Sequence, residues 1–180
     1  MIYEEKRIVC KQGREVLLRS PMREDAEELI SYMKTTAGET EFILRYPDEV
    51  TMTPEREEAF LNAINEHPYS VMICAFADGE LAGNCSLSMG GQRKTRHVGE
   101  IGIALKRKFW GLGIGTALMG ELESVARELG AERLELELIG GNERAKALYE
   151  KCGFTLYGER KKAYKLKEGY ASGFLMEKFL

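Results

Sequence analysis

The sequence is poor in the features that mark secreted, membrane-spanning or zinc-binding proteins. Its 180 residues include four cysteines and two histidines, and no two cysteines form a C-x-x-C pair. This scatter gives neither the spacing of a zinc site nor a disulfide framework, so we expect no metal. No apolar run approaches the roughly 20 residues that a membrane-spanning helix needs.

A large excess of charge of one sign is also missing. The chain has 26 basic and 29 acidic residues, a formal net charge of −3, which argues against a strongly basic nucleic-acid-binding protein. The N-terminus is charged and lacks the apolar core of a signal peptide. We therefore expect a cytoplasmic protein with reduced thiols and with neither nucleic acid nor a membrane as partner.

The composition is well suited to a single hydrophobic core. Hydrophobic residues make up 44% of the chain and charged residues 31%, and this length suits one domain. We expect one domain over residues 1–180, with residues 1–13 as an N-terminal extension. Residues 21–67 contain twelve acidic and four basic residues, which favours a cationic partner near that segment.

The hydrophobic pattern predicts an α/β (α+β) fold. Alternation predicts strands, and apolar residues at helical spacing predict amphipathic helices. The front half reads as mainly antiparallel, and a βαβ-like unit follows it. The predicted strands are 15–19, 69–77, 80–89, 97–105, 134–138, 154–158 and 173–179, and the predicted helices are 21–36, 53–67, 113–129 and 142–152.

A glycine-rich segment at residues 109–116 joins a predicted strand to a predicted helix. Gly111, Gly113 and Gly115 let the backbone approach a ligand closely, and the amides at a helix N-terminus bind phosphate groups. The basic run at residues 106–108 adds positive charge beside it. The alternative is a glycine loop that only permits a tight strand–helix junction.

Two well-known phosphate-binding motifs fit this segment poorly. A Walker loop requires a lysine after its last glycine, whereas Gly115 is followed directly by Thr116. The dinucleotide-binding fingerprint requires a further glycine at the position that Thr116 occupies. An unrelated nucleotide-binding domain is therefore disfavoured, although the sequence alone leaves it open.

A second segment, residues 142–154, reinforces the first. Ala145, Leu148, Tyr149 and Cys152 share one helix face. Together the two segments make the chain resemble the GNAT superfamily of acyl-CoA-dependent N-acetyltransferases. The resemblance covers roughly residues 15–180, and its motif residues are Ile101 to Leu105, Trp110 to Gly115, Asn142, Ala145, Leu148, Tyr149, Gly153 and Phe154.

The resemblance implies a fold and a donor site. The fold would be a mixed, mostly antiparallel sheet of about six to seven strands, flanked by about four helices, with a splayed central strand pair. Acetyl-CoA would be the acyl donor. Trp110 stands where many members have Gln or Arg, and Arg107 where a proline is common. The residues implied for cofactor binding are Ile103, Ala104, Leu105, Trp110, Gly111, Leu112, Gly113, Ile114, Gly115, Thr116 and Asn142.

The resemblance also implies catalytic residues. Tyr149 would lie near the thioester sulfur and act as a general acid towards the leaving thiolate. Glu100 would act as the base, with a water chain connecting it to the amine; the alternative is a solvent-facing or salt-bridged strand residue. Glu135 and Glu137 alternate with leucines on the next strand, and we expect them to be exposed or paired.

The implied activity is direct transfer of an acetyl group from acetyl-CoA to a primary amine of a small molecule or a peptide N-terminus. The alternative is a non-catalytic acyl-CoA-binding sensor or scaffold of the same fold. Residues 22–67, 90–96 and 160–172 would shape the acceptor site, with Phe42, Tyr46 and Tyr69 as candidates for its lining or for ordinary packing. Homodimers are common among similar enzymes, and no feature of this sequence decides the oligomeric state.

Overall fold

The structure, a computed structural model, describes all residues 1–180 and contains one eight-stranded sheet with four α-helices. None of the helices is both long and apolar enough to cross a bilayer. In chain order the elements are β1 Lys6–Val9, β2 Glu15–Arg19, α1 Ala26–Glu39, α2 Pro54–Glu66, β3 Ser70–Ala77, β4 Glu80–Met89, β5 Val98–Leu105, α3 Ile114–Glu128, β6 Arg133–Ile139, α4 Glu143–Lys151, β7 Thr155–Leu166 and β8 Gly169–Phe179.

The sheet has the strand order β1-β2-β3-β4-β5-β6-β8-β7, and every pair is antiparallel except β5 with β6. The predicted fold class is confirmed, but the predicted count of six to seven strands was too low. The strand that was missed is β1, which pairs with β2 from Lys6 opposite Leu18 to Val9 opposite Glu15. Its side chains are mostly exposed, so this edge strand carries no alternating apolar pattern.

Local signals explain several element boundaries. Thr53 caps α2 by accepting a hydrogen bond from the Arg56 amide (3.4 Å). The β3–β4 hairpin turns at Asp78 and Gly79, whose φ angles of 54° and 78° are both positive, as a two-residue turn of the type I′ kind requires. These features agree with the sequence prediction.

The sheet separates two hydrophobic clusters. The larger one, with 25 buried residues, includes the apolar stripe of α3 and Tyr149 of α4. The smaller one, with seven buried residues, packs α1 and α2 on the other face. Tyr32 of α1 is buried there, and its hydroxyl donates to the carbonyl of Ala104 on β5 (2.7 Å). The α1 helix is thereby held against the middle of the sheet.

The β5–β6 pair divides the sheet into two parts. Only Val98 to Glu100 pair with β6, at Arg133 to Glu135. Beyond Glu100, β5 and β6 no longer pair with each other. On its other side, β5 stays paired with β4 as far as Leu105. The expected splayed central pair is therefore present, and it opens a gap in the middle of the sheet.

The β7–β8 hairpin is longer than the sequence predicted. The strands run over Thr155–Leu166 and Gly169–Phe179, whereas the alternation predicted 154–158 and 173–179. The register shifts between Arg160 and Tyr164, and a basic run at residues 160–162 interrupts the apolar alternation. Residues 160–172, expected to shape an acceptor site, are therefore mostly strand rather than loop.

Candidate active site

A cavity of about 790 Å³ lies where β5 and β6 part. Its walls come from β5, β6, the glycine-rich loop, α4 and the segment that connects α1 to α2. Both predicted catalytic residues, Tyr149 and Glu100, line it. Of the eleven residues predicted to bind a cofactor, nine line it as well: Ile103, Ala104, Leu105, Trp110, Gly111, Gly113, Gly115, Thr116 and Asn142.

The backbone of β5 offers unpaired groups to this gap. The Gly90 amide donates to the Val98 carbonyl, and the Lys106 amide donates to the Ala82 carbonyl. These bonds show that the backbone amides and carbonyls of the even-numbered residues of β5 point to β4. Those of the odd-numbered residues therefore point to β6. Past the splay, the amide and carbonyl of Ile103 therefore face the cavity. An extended, amide-containing ligand can pair with them as an added strand.

The glycine loop forms a cradle in front of α3. Gly111 and Gly113 have φ angles of +80° and +90°, the left-handed region in which a Cβ is strained. A Cβ at Gly111 would meet no atom within 4 Å, so the space above the loop is open. Helix α3 is 15 residues long and starts at Ile114. Its free amides and dipole favour an anion at this point, and this loop fits the pyrophosphate of acetyl-CoA.

The third glycine has a different function. Gly115 lies inside α3, where an added Cβ would come within 3.3 Å of Leu148 on α4 and 3.6 Å of Leu105 on β5. It permits close packing rather than an unusual backbone angle. Leu112 and Ile114 do not line the cavity, and the Ile114 side chain is fully buried in the larger cluster.

Trp110 joins three walls of the cavity. Its indole N–H donates to the Leu105 carbonyl (2.8 Å), which ties the loop to the end of β5. The guanidinium of Arg144 lies 4.7 Å from the centre of the Trp110 ring. This cation–π contact holds the N-terminal turn of α4 against the loop.

The basic run before the loop is only partly paired. Lys106 and Lys108 share one carboxylate, that of Glu80, and the Arg107 guanidinium donates to the Glu39 backbone carbonyl. The run therefore keeps net positive charge beside the loop, but its two lysines are directed to Glu80. Sequence adjacency does not show which way each side chain points or that Glu80 lies within reach.

Helix α4 carries Asn142 and Tyr149 to the cavity. The Asn142 side chain caps the helix by accepting from the Ala145 amide (3.2 Å). Tyr149 is buried and its ring packs 6.0 Å from that of Phe154. Burial, with a smaller contribution from Cys152, raises the pKa of Tyr149 to about 12. The phenol is thus a hydrogen-bond donor that stays protonated at neutral pH.

Two carboxylates line the opposite part of the cavity. Glu100 is exposed and belongs to the last residue pair before β5 and β6 part. Glu137 lies farther along β6, where Oε2 accepts from Arg160 (2.7 Å) and Oε1 is buried. Burial and a hydrogen bond to Glu137 raise the pKa of Tyr164 to about 12.

Both strand glutamates are paired, as the sequence predicted, but only Glu137 also lines the cavity. Glu135 is paired with Arg133 (2.7 Å) and Glu137 with Arg160 (2.7 Å). An added Cβ at Gly173 would collide with Oε1 of Glu137. The sequence signal that sets Glu137 apart is this strand glycine opposite β6, which leaves room for the carboxylate.

The remaining wall comes mainly from the α1–α2 connection. Phe42 lines the cavity, whereas Tyr46, Tyr69 and the loop 90–96 do not. A Cβ at Gly141 would lie 3.6 Å from the Phe42 ring, so this connection closes over the start of α4. The connection contributes Thr40, Phe42, Ile43 and Leu44 to the lining, and the end of α1 contributes Thr36.

Comparison with known proteins gives a consistent result. A Bacillus subtilis protein provisionally named ribosomal protein bS18-alanine N-acetyltransferase is 31% identical over 114 residues, 62% of this chain and 72% of that protein. The L-amino acid N-acetyltransferase AaaT of Escherichia coli is 29% identical over 113 residues, 62% of this chain and 69% of that protein.

Solved structures agree with these relatives. The crystal structure of a GNAT-family acetyltransferase from Streptococcus pneumoniae has a TM-score of 0.86 and 28% sequence identity, covering 92% of this chain and 99% of that chain. Other solved acetyltransferases of the same fold contain acetyl-CoA.

The family comparison covers the site directly. The sequence profile of the Acetyltransferase (GNAT) family matches residues 35–154, which include the splayed strands, the glycine loop and α4. The chain belongs to the GNAT acetyltransferase family and is an N-acetyltransferase.

Proposed function

We propose that this chain transfers an acetyl group from acetyl-CoA directly to a primary amine of a small molecule or a peptide N-terminus. The observation that carries the proposal is the single cavity between β5 and β6, which joins an anion cradle at Gly111 and Gly113 to a wall with two carboxylates. The strands that line it belong to one continuous sheet, which supports assigning residues 1–180 to a single acetyltransferase domain.

The donor occupies the side of the cavity next to α3 and α4. The amides of residues 111–115 hold the pyrophosphate. The free amide and carbonyl of Ile103 pair with the pantetheine arm and direct the thioester towards Tyr149. Bound there, acetyl-CoA supplies an activated acetyl group.

The transfer forms one bond and breaks one. The amine nitrogen attacks the carbonyl carbon, the new C–N bond forms and the C–S bond breaks; the nitrogen loses its second proton to water as the thiolate takes one up, which gives an amide and CoA. The amine arrives mostly protonated, so a carboxylate first accepts its proton through water. The free β5 amides stabilise charge on the carbonyl oxygen. Tyr149 donates a hydrogen bond to the sulfur that becomes a thiolate.

The geometry supports Glu137 ahead of Glu100 as the proton acceptor. Glu137 lines the cavity beyond the point where the strands part and its Oε1 is buried, whereas Glu100 is exposed at the last paired residue. We expect Glu137→Gln to lower kcat about 10²-fold. The factor by which Glu100→Gln lowers kcat should be several times smaller. The measurement is kcat as a function of pH for both variants and the unmodified chain.

The thermal unfolding midpoint of each variant serves as the structural control. Both substitutions replace one oxygen by an NH₂ group of similar size, so the thermal unfolding midpoints should stay close together. If Glu100→Gln proves the more damaging change, the base is the exposed carboxylate that the sequence indicated.

The charge on the cavity wall that carries Glu100 and Glu137 supports an acceptor amine that has no carboxylate next to it. Glu100 and Glu137 attract an ammonium group, and Arg160 is paired with Glu137. The cations that line the cavity lie on the N-terminal hairpin and on α4: Lys11, Arg144 and Lys151. A free amino acid would therefore place its carboxylate without a cationic partner on this wall.

Alanine and alanine amide test the acceptor class, because they differ only in that carboxylate. The names of the two relatives bear on this comparison, since one is named for an alanine of a ribosomal protein and the other for L-amino acids. We expect kcat/KM to be about tenfold higher for alanine amide than for alanine, each assayed by release of CoA. A preference for alanine would contradict the peptide-like assignment.

A further inference from the structure

We propose that Lys11 binds the pyrophosphate of acetyl-CoA as a second anchor opposite the glycine loop. This assignment rests on the proposed function. Neither the basic run at residues 106–108 nor the family motifs include Lys11, which lies in the segment that the sequence marked as an N-terminal extension.

The β1–β2 turn holds Lys11 against the glycine loop. The Lys11 amide donates to the Leu112 carbonyl (3.0 Å). The Lys11 Cγ lies 3.6 Å from the position that a Cβ on Gly113 would occupy, and Lys11 lines the same cavity as the loop. The two segments are about a hundred residues apart in the chain, so this contact exists only because β1 and β2 fold back beside α3.

The backbone of the turn is shaped for this position. Gln12 and Gly13 have φ angles of 61° and 70°, and the turn closes with a hydrogen bond from the Cys10 amide to the Arg14 carbonyl (2.8 Å). A positive φ at a residue other than glycine is uncommon. The turn is therefore a defined structure that places the Lys11 backbone on the loop rather than a flexible link.

The charge of Lys11 has no partner within the protein. Lys11 takes part in none of the ion pairs of the molecule. Lys106 and Lys108, the other lysines near the loop, share the single carboxylate of Glu80 and are directed to it. A pyrophosphate in the cradle would thus meet one unpaired lysine beside Gly113, and a lysine is a common phosphate ligand.

The test is calorimetric titration of Lys11→Met. Methionine is unbranched, like the aliphatic part of lysine, but carries no charge. The ligands are acetyl-CoA, its 3′-dephospho form and acetyl-pantetheine. We expect about tenfold weaker binding of the first two ligands, corresponding to roughly one charge-assisted contact. Binding of acetyl-pantetheine, which has no pyrophosphate, should not change.

Two variants serve as controls. Lys94→Met removes a lysine from the exposed loop 90–96, which does not line the cavity, and should leave all three affinities unchanged. Lys11→Arg should restore most of the affinity because it restores the charge. An unchanged affinity of Lys11→Met for acetyl-CoA would overturn the proposal.

The three ligands separate the other outcomes. A loss for acetyl-CoA that disappears with the 3′-dephospho form would assign Lys11 to the ribose phosphate and overturn the pyrophosphate assignment. An equal loss for acetyl-pantetheine would show a structural role and would also overturn it. If the unmodified chain binds no acetyl-CoA, the proposed function itself fails and the role of Lys11 fails with it.

Discussion

Tyr149→Phe is expected to lower kcat about 10²-fold and to leave the affinity for acetyl-CoA nearly unchanged. The variant keeps the ring, which packs against Phe154 in the larger hydrophobic cluster, and removes only the hydroxyl. That hydroxyl is proposed to act on the sulfur as the C–S bond breaks, so its loss raises the barrier without weakening the bound state.

The pH dependence makes this prediction sharper. The pKa of Tyr149 is raised to about 12 because the side chain is buried. Below that pH the phenol keeps its proton, and its contribution to catalysis persists as the pH rises through neutrality. The ratio of kcat between the unmodified chain and Tyr149→Phe should therefore stay constant from about pH 6 to pH 10.

The same pKa affects how Tyr149 acts. A thiol has a pKa near 8.5, so complete proton transfer from a phenol with a pKa of about 12 is uphill. We expect a strong hydrogen bond to the developing thiolate, with protonation completed from solvent. Tyr170→Phe, at a residue 62% exposed on β8, is the control and should leave kcat unchanged. A kcat for Tyr149→Phe equal to that of the unmodified chain would show that the Tyr149 hydroxyl does not assist departure of the thiolate.

Gly113→Asp is expected to weaken acetyl-CoA binding by about 10²-fold or more. The substitution has two effects at one position. It places a Cβ at a φ of +90°, which costs on the order of 1 kcal/mol, and it brings a negative charge to the cradle in which the pyrophosphate binds. The aspartate carboxylate and the pyrophosphate would repel each other strongly because the site is partly shielded from water.

Gly113→Asn separates these two effects. Asparagine has nearly the shape of aspartate and tolerates a positive φ better than most residues, but it carries no charge. We expect its affinity for acetyl-CoA to lie between those of the unmodified chain and Gly113→Asp, with at least tenfold separating the two variants. Equal affinities for both would show that the loop geometry matters and that no phosphate binds beside Gly113.

The sequence predicted most of the elements that build the site, for local reasons. The Asp78–Gly79 turn, the Thr53 cap and the apolar stripe of α3 depend on residues close together in the chain. The glycine loop and α4 were found by their spacing. The splayed strand pair followed from the family resemblance, because no local pattern predicts where two strands part.

The remaining features depend on contacts between distant segments. Glu80 pairs with both Lys106 and Lys108 from across the β4–β5 pair. The β1–β2 turn reaches the glycine loop only once the sheet has formed. Glu137 differs from Glu135 because Gly173 leaves space beside Glu137 and because only Glu137 lines the cavity. Hydrophobic periodicity describes one element at a time and contains none of this information.

The central claim is that acetyl transfer to an amine occurs in the cavity between β5 and β6. The most direct measurement is release of CoA from acetyl-CoA with and without alanine amide, with the acetylated amine quantified by mass spectrometry. We expect CoA release that depends on the amine and matches the amount of amide formed. Tight acetyl-CoA binding with no amine-dependent release, across a panel of amines and peptides, would contradict the account.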